Sequence, residues 1–327
     1  MSPLYGHDTS IATFRDSFDA GTLHHAWLLA GPQGIGKALF AEKAALRVLA
    51  EGQGTVAAPG LDVPDDHPAA RLVAAGSHPD LMRLERLPRE SNPAELARSI
   101  TVDQVRGLSR LFGTTASMSP WRVVLVDAAD DLERAAANAL LKNLEEPPPH
   151  SLFLLVSHAP ERLLPTIRSR CRLLRLSLLG ADAMTSAMRE ALPEASEREI
   201  AELAAAAPGS PGRALAFQGL DIAALDKAMG ELAREGDPTN ARRSALAQSL
   251  ALKSAQPRYE AFLSRAPSLV AAEARRRTGR ALDDALRTWE RAQALATSAR
   301  GLSLNPESVV FELAGLLASL APAAASR

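Results

Sequence analysis

The sequence is poor in several residue types, and each scarcity excludes a class of protein. A single cysteine, Cys171, excludes an intramolecular disulfide and a cysteine-built zinc site, and is typical of the reducing cytoplasm. The first residues lack the charged start and apolar core of a secretory signal. Because no run of about 18 apolar residues is free of charges and Gly/Pro breaks, we expect a cytoplasmic protein without a membrane span.

Aromatic residues and net charge are also scarce. Aromatics make up 4% of the 327 residues and hydrophobic residues 46%, so alanine and leucine must fill the core, and such a composition favours helices. The formal net charge is −1, from 37 basic and 38 acidic side chains, which excludes nucleic-acid binding through overall positive charge. A chain of this length predicts two or three domains.

The most informative segment that is present lies at residues 31–38, Gly-Pro-Gln-Gly-Ile-Gly-Lys-Ala. It follows the phosphate-loop pattern G-x-x-x-x-G-K-[ST] up to the last position, where Ala38 replaces the hydroxyl residue that binds Mg²⁺. An apolar run at 26–30 predicts a strand before the loop, and apolar spacing at 37–50 predicts a helix after it. Strand, loop and helix in this order are the context that the pattern requires.

The residues of this loop have chemical roles that follow from their type. Backbone N–H groups around Ile35 can surround an anion, helped by the positive N-terminal end of the following helix. Gly31, Gly34 and Gly36 allow a close approach that side chains would block, and Lys37 can reach the outer phosphates. We predict a phosphate loop by fold. A glycine-rich turn without a ligand is the alternative, and binding of ATP or ADP stays open.

Hydrolysis needs a second group of residues, which is incomplete here. The β-branched run 122–127 predicts a strand ending in Asp127, a carboxylate suited to holding the metal. The next residue, Ala128, cannot polarise an attacking water as a glutamate would. Asp130 and Asp131 are predicted to be charges at the start of the next helix. Together with the missing hydroxyl, Ala128 predicts a site that has given up catalysis.

Strands and helices alternate over the first half of the chain. Apolar runs predict strands at 26–30, 81–87, 122–127, 151–156 and 172–176, and helical spacing predicts helices at 37–50, 100–112 (capped by Thr101) and 132–144, with a loop at 51–79. This alternation predicts an α/β fold, with a mostly parallel sheet and helices on both faces. Beyond residue 177 no strand is predicted.

The remainder of the chain is predicted to be helical. Short helices at 181–218 precede longer ones. Shared helix faces are predicted for Leu282, Leu286, Trp289 and Ala292, and for Val309, Leu313, Leu316, Leu317 and Leu320. We expect three domains: a nucleotide-binding-type domain at 1–177, a helical lid at 178–235 and a helical oligomerisation domain at 236–327.

Several spaced motifs agree, in order, with one known family. They are Val-Val-Leu-Val-Asp-Ala-Ala-Asp-Asp-Leu from residue 123, Ala-Asn-Ala-Leu-Leu-Lys-Asn-Leu-Glu-Glu-Pro-Pro from 137, Leu-Leu-Pro-Thr-Ile-Arg-Ser-Arg-Cys ending at 171, His24-His25-Ala26, His78-Pro79-Asp80 and residues 209–214. The chain resembles the AAA+ clamp-loader subunits of bacterial DNA polymerase III, and among them the delta-prime subfamily. The resemblance implies an AAA+ sheet domain, a small helical lid and an all-α C-terminal collar.

The resemblance also implies a function in DNA replication. Clamp loaders are pentamers that use ATP, bound between subunits, to place a ring-shaped sliding clamp on primed DNA. The Ser169-Arg170-Cys171 motif implies that Arg170 reaches a neighbour's ATP. Arg213 matches a nucleotide-sensing lid arginine or lies on a helix surface; Ser157 and His158 match a phosphate sensor or an ordinary strand end. Implied partners are gamma/tau and delta subunits, the clamp and primed DNA, within a DNA-directed DNA polymerase, a nucleotidyltransferase.

Two departures from the family favour a subunit that does not hydrolyse ATP. Many relatives carry a four-cysteine zinc module where residues 51–79 contain no cysteine, so no zinc is expected. The hydroxyl at position 38 and the glutamate at position 128 are both absent, which fits a rigid delta-prime-like stator better than a motor. The alternative is an ATP-hydrolysing AAA+ motor, either a gamma/tau-like subunit or a helicase.

Overall fold

The computed structural model describes residues 2–302 and 304–322, which form two compact units, Met1–Ala214 and Leu215–Arg327. The strands are β1 Ala26–Ala30, β2 Leu81–Glu85, β3 Pro88–Arg89, β4 Asn92–Leu96, β5 Arg122–Asp127, β6 Ser151–Ser157 and β7 Arg172–Arg175. The helices are α1 Asp8–Asp19, α2 Lys37–Glu51, α3 Pro68–Ala74, α4 Val102–Arg106, α5 Leu108–Gly113, α6 Arg134–Glu145, α7 Pro165–Arg168, α8 Ala181–Ala191, α9 Glu197–Ala206, α10 Pro211–Leu215, α11 Ile222–Glu235, α12 Ala241–Leu250, α13 Gln256–Ala274, α14 Gly279–Leu302 and α15 Pro306–Ala318. The domain boundaries expected at 177 and 235 stay a prediction.

The first unit contains a five-stranded parallel sheet in the order β2-β5-β6-β1-β7. Its central strands are continuous apolar runs because both faces are covered: every residue of β1 and β6 is buried. Successive residues alternate between two cores, Trp27 and Leu29 with α2 on one face, and Leu28 with α6 on the other. The predicted parallel sheet with helices on both faces is confirmed.

The helix predicted at 100–112 is two helices, α4 and α5, separated at Gly107. Thr101 caps α4 in a capping box with Gln104, as its position predicted. A Cβ at Gly107 would lie 2.9 Å from the carbonyl oxygen of Gln104 and 3.0 Å from Cε of Met82. The break therefore coincides with a position where a side chain would crowd the preceding turn of α4 and the Met82 side chain of β2.

Apolar periodicity does not predict two elements of the first unit, α3 and the β3–β4 pair. The loop predicted at 51–79 contains α3, which begins at Pro68 and is capped by Nδ1 of His67 accepting from the N–H of Ala69. The antiparallel pair β3–β4 lies between β2 and α4. Two prolines fall within or beside these short strands, and they lack alternating apolar residues, so no periodic signal marks them.

The described part of the second unit is helical, as predicted. The last set of residues predicted to share a helix face is buried: Val309, Leu313, Leu316 and Leu317 in α15, and Leu320 two residues after its end. In α14 the predicted face is correct at Ala292, which is buried, but wrong at Leu286, which is 43% exposed; Leu282 and Trp289 are half-buried, and the neighbouring Ala285 is fully buried. The buried stripe runs through Ala285, Ala292 and Ala296, whose small side chains allow α13 to pack closely.

Candidate phosphate-binding site

The site is built where parallel strands end. β1, β6 and β5 finish at Ala30, Ser157 and Asp127, and the register pairs Ala30 with Ser157. The glycine-rich loop follows β1, and α2 begins at Lys37. Since the carboxyl ends of parallel strands share one edge of the sheet, the loop and Asp127 lie at the same edge, as is usual for ligand sites in such folds.

The loop's carbonyl oxygens are all engaged by donors of the protein. Those of residues 31–35 accept, in order, from Lys37 Nζ at 2.7 Å, Lys37 Nζ at 2.5 Å, Ser210 Oγ at 2.8 Å, the N–H of Gly212 at 2.8 Å and His7 Nε2–H at 2.8 Å. In a trans peptide the N–H points opposite to the carbonyl. In the described part of the chain the N–H groups of residues 33–36 donate to no protein acceptor, so they can bind an anion.

At two positions of the loop, close contacts leave no room for a side chain. Gly34 has φ +78°, and a Cβ there would lie 2.7 Å from both the backbone nitrogen of Arg213 and Oγ of Ser210. At Gly31, a Cβ would lie 2.2 Å from the carbonyl oxygen of Leu176. Residues 210–213 thus lie directly on the loop, and Arg213 joins the predicted site through contacts of its backbone and Cγ with Gly34.

Lys37 is the buried cation of the site. The residue is 3% exposed, and its ammonium donates to the carbonyl oxygens of Gly31 and Pro32. Burial lowers the pKa of Lys37 to about 8, against the opposing attraction of Asp130 and Asp127. Burial also raises the pKa of Asp127, helped by the charges of Glu85 and Asp131. The second residue of α2, Ala38, presents a methyl group that cannot ligate a metal.

Asp130 has a role beyond the one predicted. It lies in the first turn of a short 3-10 helix, Ala129–Asp131, which precedes α6 at Arg134. Its carboxylate accepts from Ser157 Oγ at 3.0 Å and from the N–H groups of His158 and Ala159 at 2.7 and 3.0 Å. Asp130 therefore also anchors the end of β6 beside the loop, which the sequence did not predict.

Arg170 lies at the opposite edge of the sheet. β7 pairs with β1 from Trp27–Arg172 to Ala30–Arg175, and Arg170 precedes β7 by two residues. From Arg172 to Arg175 the chain advances three residues at about 3.3 Å each, so the length of β7 by itself separates the two edges by roughly 10 Å. The structure brings the other predicted site residues together around the loop and leaves Arg170 apart from them.

The guanidinium of Arg170 is held on the surface of the same unit. Nη1 donates to the carbonyl oxygen of Thr166 at 3.0 Å, and Nη2 lies 2.9 Å from Oε1 of Glu145. The side chain remains 35% exposed. It is therefore held by contacts within its own unit and still accessible to another molecule.

Four residues around these sites have hydrogen-bond or ion-pair partners that no local sequence pattern predicts. His7 and Ser210 lie 28 and 177 residues from their loop partners, and Glu145 and Asp130 also act across loops. Asp130, Glu145 and Ser210 fall inside motifs that the sequence singled out, at 123–132, 137–148 and 209–214, but no local pattern gives their partners. His7 lies outside these motifs and would need a contact map to be found.

The insertion that lacks cysteine is organised by charged side chains. Within residues 2–302 and 304–322, no group of three or more His, Cys, Asp or Glu residues is placed to hold a metal ion. Arg47 of α2 donates to the carbonyl oxygens of Val56, Ala58 and Asp62, and Lys43 pairs with Asp62 at 2.7 Å.

None of the described helices combines the length and apolar character needed to cross a membrane.

Comparison with known proteins gives a consistent set of relatives. The sequence model of the family described as DNA polymerase III, delta subunit, matches residues 6–179. DNA polymerase III subunit delta' of Pseudomonas aeruginosa is 42% identical over 198 residues, 61% of this chain and 57% of the relative. The Escherichia coli protein of the same description is 35% identical over 205 residues, 62% of this chain and 57% of the relative.

A second group of relatives is more distant. DNA polymerase III subunit tau of Escherichia coli is 30% identical over 234 residues, which are 69% of this chain and 33% of the relative. The chain thus spans less than two thirds of the length of the curated relatives that it matches. Identity is higher to the two delta' proteins than to tau.

Proposed function

The chain belongs to the DNA polymerase III delta subunit family, and from this membership we propose that it is a delta-prime-like subunit of a clamp-loader complex. In this role it helps to load the sliding clamp onto primed DNA during replication, in a complex with gamma/tau and delta subunits. It hydrolyses no ATP itself and donates Arg170 to the nucleotide of a neighbouring subunit. Its residues 178–235 form the lid, and residues 236–327 form the oligomerisation domain.

The position of Arg170 is the observation that carries this proposal. It lies at the edge of the sheet opposite to Lys37, so it does not serve its own loop. A guanidinium is permanently charged and can bind phosphate oxygens through two N–H groups, which suits it to a neighbour's γ-phosphate. An ordered but accessible arginine at this place is what donation in trans requires.

The loop supports binding of nucleotide without turnover. Its N–H groups and the Lys37 ammonium suit the phosphates of ATP or ADP, with Arg213 beside them. Ala38 offers no hydroxyl to Mg²⁺, and Ala128 offers no carboxylate to a water, so the two features that hydrolysis most needs are missing. We infer that the loop serves as a fixed cradle that stabilises the subunit.

The test is reconstitution of the complex with variants of this chain. Arg170→Ala should abolish the turnover at the interface it serves, since such an arginine contributes about 10³-fold or more to the rate. Arg168→Ala removes an exposed arginine two residues away and should leave ATPase and clamp loading unchanged. Equal activity of the wild-type and Arg170→Ala complexes would refute the donation.

A second measurement tests the absence of turnover. The purified chain alone should show no steady-state hydrolysis of ATP, and restoring a hydroxyl with Ala38→Thr should not create any, because Ala128 still lacks the carboxylate. Clear ATPase activity of the isolated wild-type chain would favour the motor alternative. A gamma/tau-like subunit would be the first candidate in that case.

A further inference from the structure

Glu145 and Arg170 are attached to one rigid platform in the first unit. Glu145 is the last residue of α6, and Arg170 follows the short helix α7. Leu144 and Ile167 lie in the same buried core, 1% exposed each. His25 Nε2–H donates to the carbonyl oxygen of Leu144 at 3.1 Å, a further contact that holds the end of α6.

The guanidinium of Arg170 is held from two directions. Oε1 of Glu145 lies 2.9 Å from Nη2, while Nη1 donates to the carbonyl oxygen of Thr166 at 3.0 Å and to Oγ of Ser169 at 3.4 Å. Among the contacts of the described residues, Nε of Arg170 has no acceptor. Both Nη groups are therefore held, and the Nε–H can donate to a phosphate.

The location of Glu145 is unfavourable for the helix that carries it. A carboxylate in the last turn faces the negative end of the helix dipole, where cations are preferred. Its side chain is 47% exposed, and among the described residues Arg170 is its ion-pair partner. Helix stability therefore does not explain a glutamate here, whereas orienting Arg170 does.

From this geometry we propose that Glu145 is a positioning residue for Arg170. It restricts a long, flexible side chain to one orientation before the neighbouring subunit arrives, so that less conformational freedom is lost when the phosphate is bound. The inference rests on the proposed function, because it gives Glu145 a role only through Arg170. Glu145 touches no nucleotide in this scheme.

The experiment measures ATPase of the reconstituted complex with four variants. Glu145→Ala should lower kcat roughly tenfold, less than the 10²-fold that an ångström of misplacement can cause, and leave KM unchanged. Glu145→Gln keeps an oxygen acceptor and should fall between Glu145→Ala and wild type. Glu146→Ala is the matched control, because the adjacent exposed glutamate makes no ion pair among the described residues.

The fourth variant separates positioning from a general structural effect. In an Arg170→Ala background, Glu145→Ala should lower the rate no further, since Glu145 acts only through that arginine. The melting temperature of Glu145→Ala should equal or exceed that of wild type, because a charge unfavourable to α6 is removed. A clear fall in melting temperature, or a further loss in the double variant, would overturn the proposal.

The outcomes also distinguish this inference from the proposed function. If Arg170→Ala leaves the ATPase rate unchanged, donation of the arginine is refuted and the role of Glu145 falls with it. If Arg170→Ala lowers the rate and Glu145→Ala behaves like Glu146→Ala, the proposed function stands and the positioning role is overturned. If Arg170→Ala and Glu145→Ala each lower the ATPase rate, and the double variant is no slower than Arg170→Ala, both the proposed function and the positioning role are supported.

Discussion

Replacing Arg47 by methionine tests how the cysteine-free insertion is held to the first unit. Arg47 is 4% exposed, and its guanidinium makes four hydrogen bonds. Three go to the carbonyl oxygens of Val56, Ala58 and Asp62, and one goes to Glu51 at 2.6 Å. Methionine keeps the aliphatic stem that packs in α2 and removes every donor, so the variant isolates these polar contacts.

The expected loss of stability follows from burial. Breaking a buried ion pair from one side costs about 3–5 kcal/mol, and each hydrogen bond to a charged group contributes about 1.5–3 kcal/mol. Part of this loss is avoided, because Glu51 keeps its ion pair with Arg15 at 3.0 Å and is not left unpaired. We therefore expect a fall of about 3 kcal/mol in the free energy of unfolding, the lower end of the range.

The assay is equilibrium unfolding in urea at pH 7, with Arg198→Met as the control. Arg198 and Glu202 form another i,i+4 pair at 2.8 Å, but their side chains are 88% and 64% exposed, against 5% and 18% for Arg47 and Glu51. The control should leave the unfolding midpoint unchanged. A loss below about 1 kcal/mol for Arg47→Met, the value of one ordinary hydrogen bond, would refute the reasoning.

Three further outcomes are expected. Because burial lowers the pKa of Lys37 to about 8, its positive charge is present below that pH and lost above it; ADP affinity by calorimetry should fall from pH 7 to 9, and a flat profile like that of Lys37→Met would contradict this. Asp130→Ala should speed hydrogen exchange of the N–H groups of His158 and Ala159, which donate to its carboxylate, whereas Asp131→Ala should not. Equal effects of the two variants would refute the anchoring role of Asp130. Ala285→Leu should destabilise by about 1–3 kcal/mol through overpacking, and Leu286→Ala should be near neutral in the same urea assay; the reverse order would restore the face predicted from sequence.

Local patterns were sufficient for the elements around the loop. Continuous apolar runs predict buried strands because a parallel strand is covered on both faces, and β1, β5 and β6 confirm this. The phosphate-loop pattern predicts its own strand and helix because glycine positions are set by local backbone geometry. The pair β3–β4 was missed because it has no apolar alternation to detect.

The sequence by itself determined the strand–loop–helix unit, the loss of the metal-binding hydroxyl at Ala38 and the family. Tertiary structure alone decided the strand order, the donors that hold the loop carbonyls, the anchoring by Asp130 and the pairing of Arg170 with Glu145. The physical reason is that apolar periodicity records which face of an element is buried, not which element lies beside it. Polar partners depend on where element ends meet in space, and those ends are set only when the sheet is assembled.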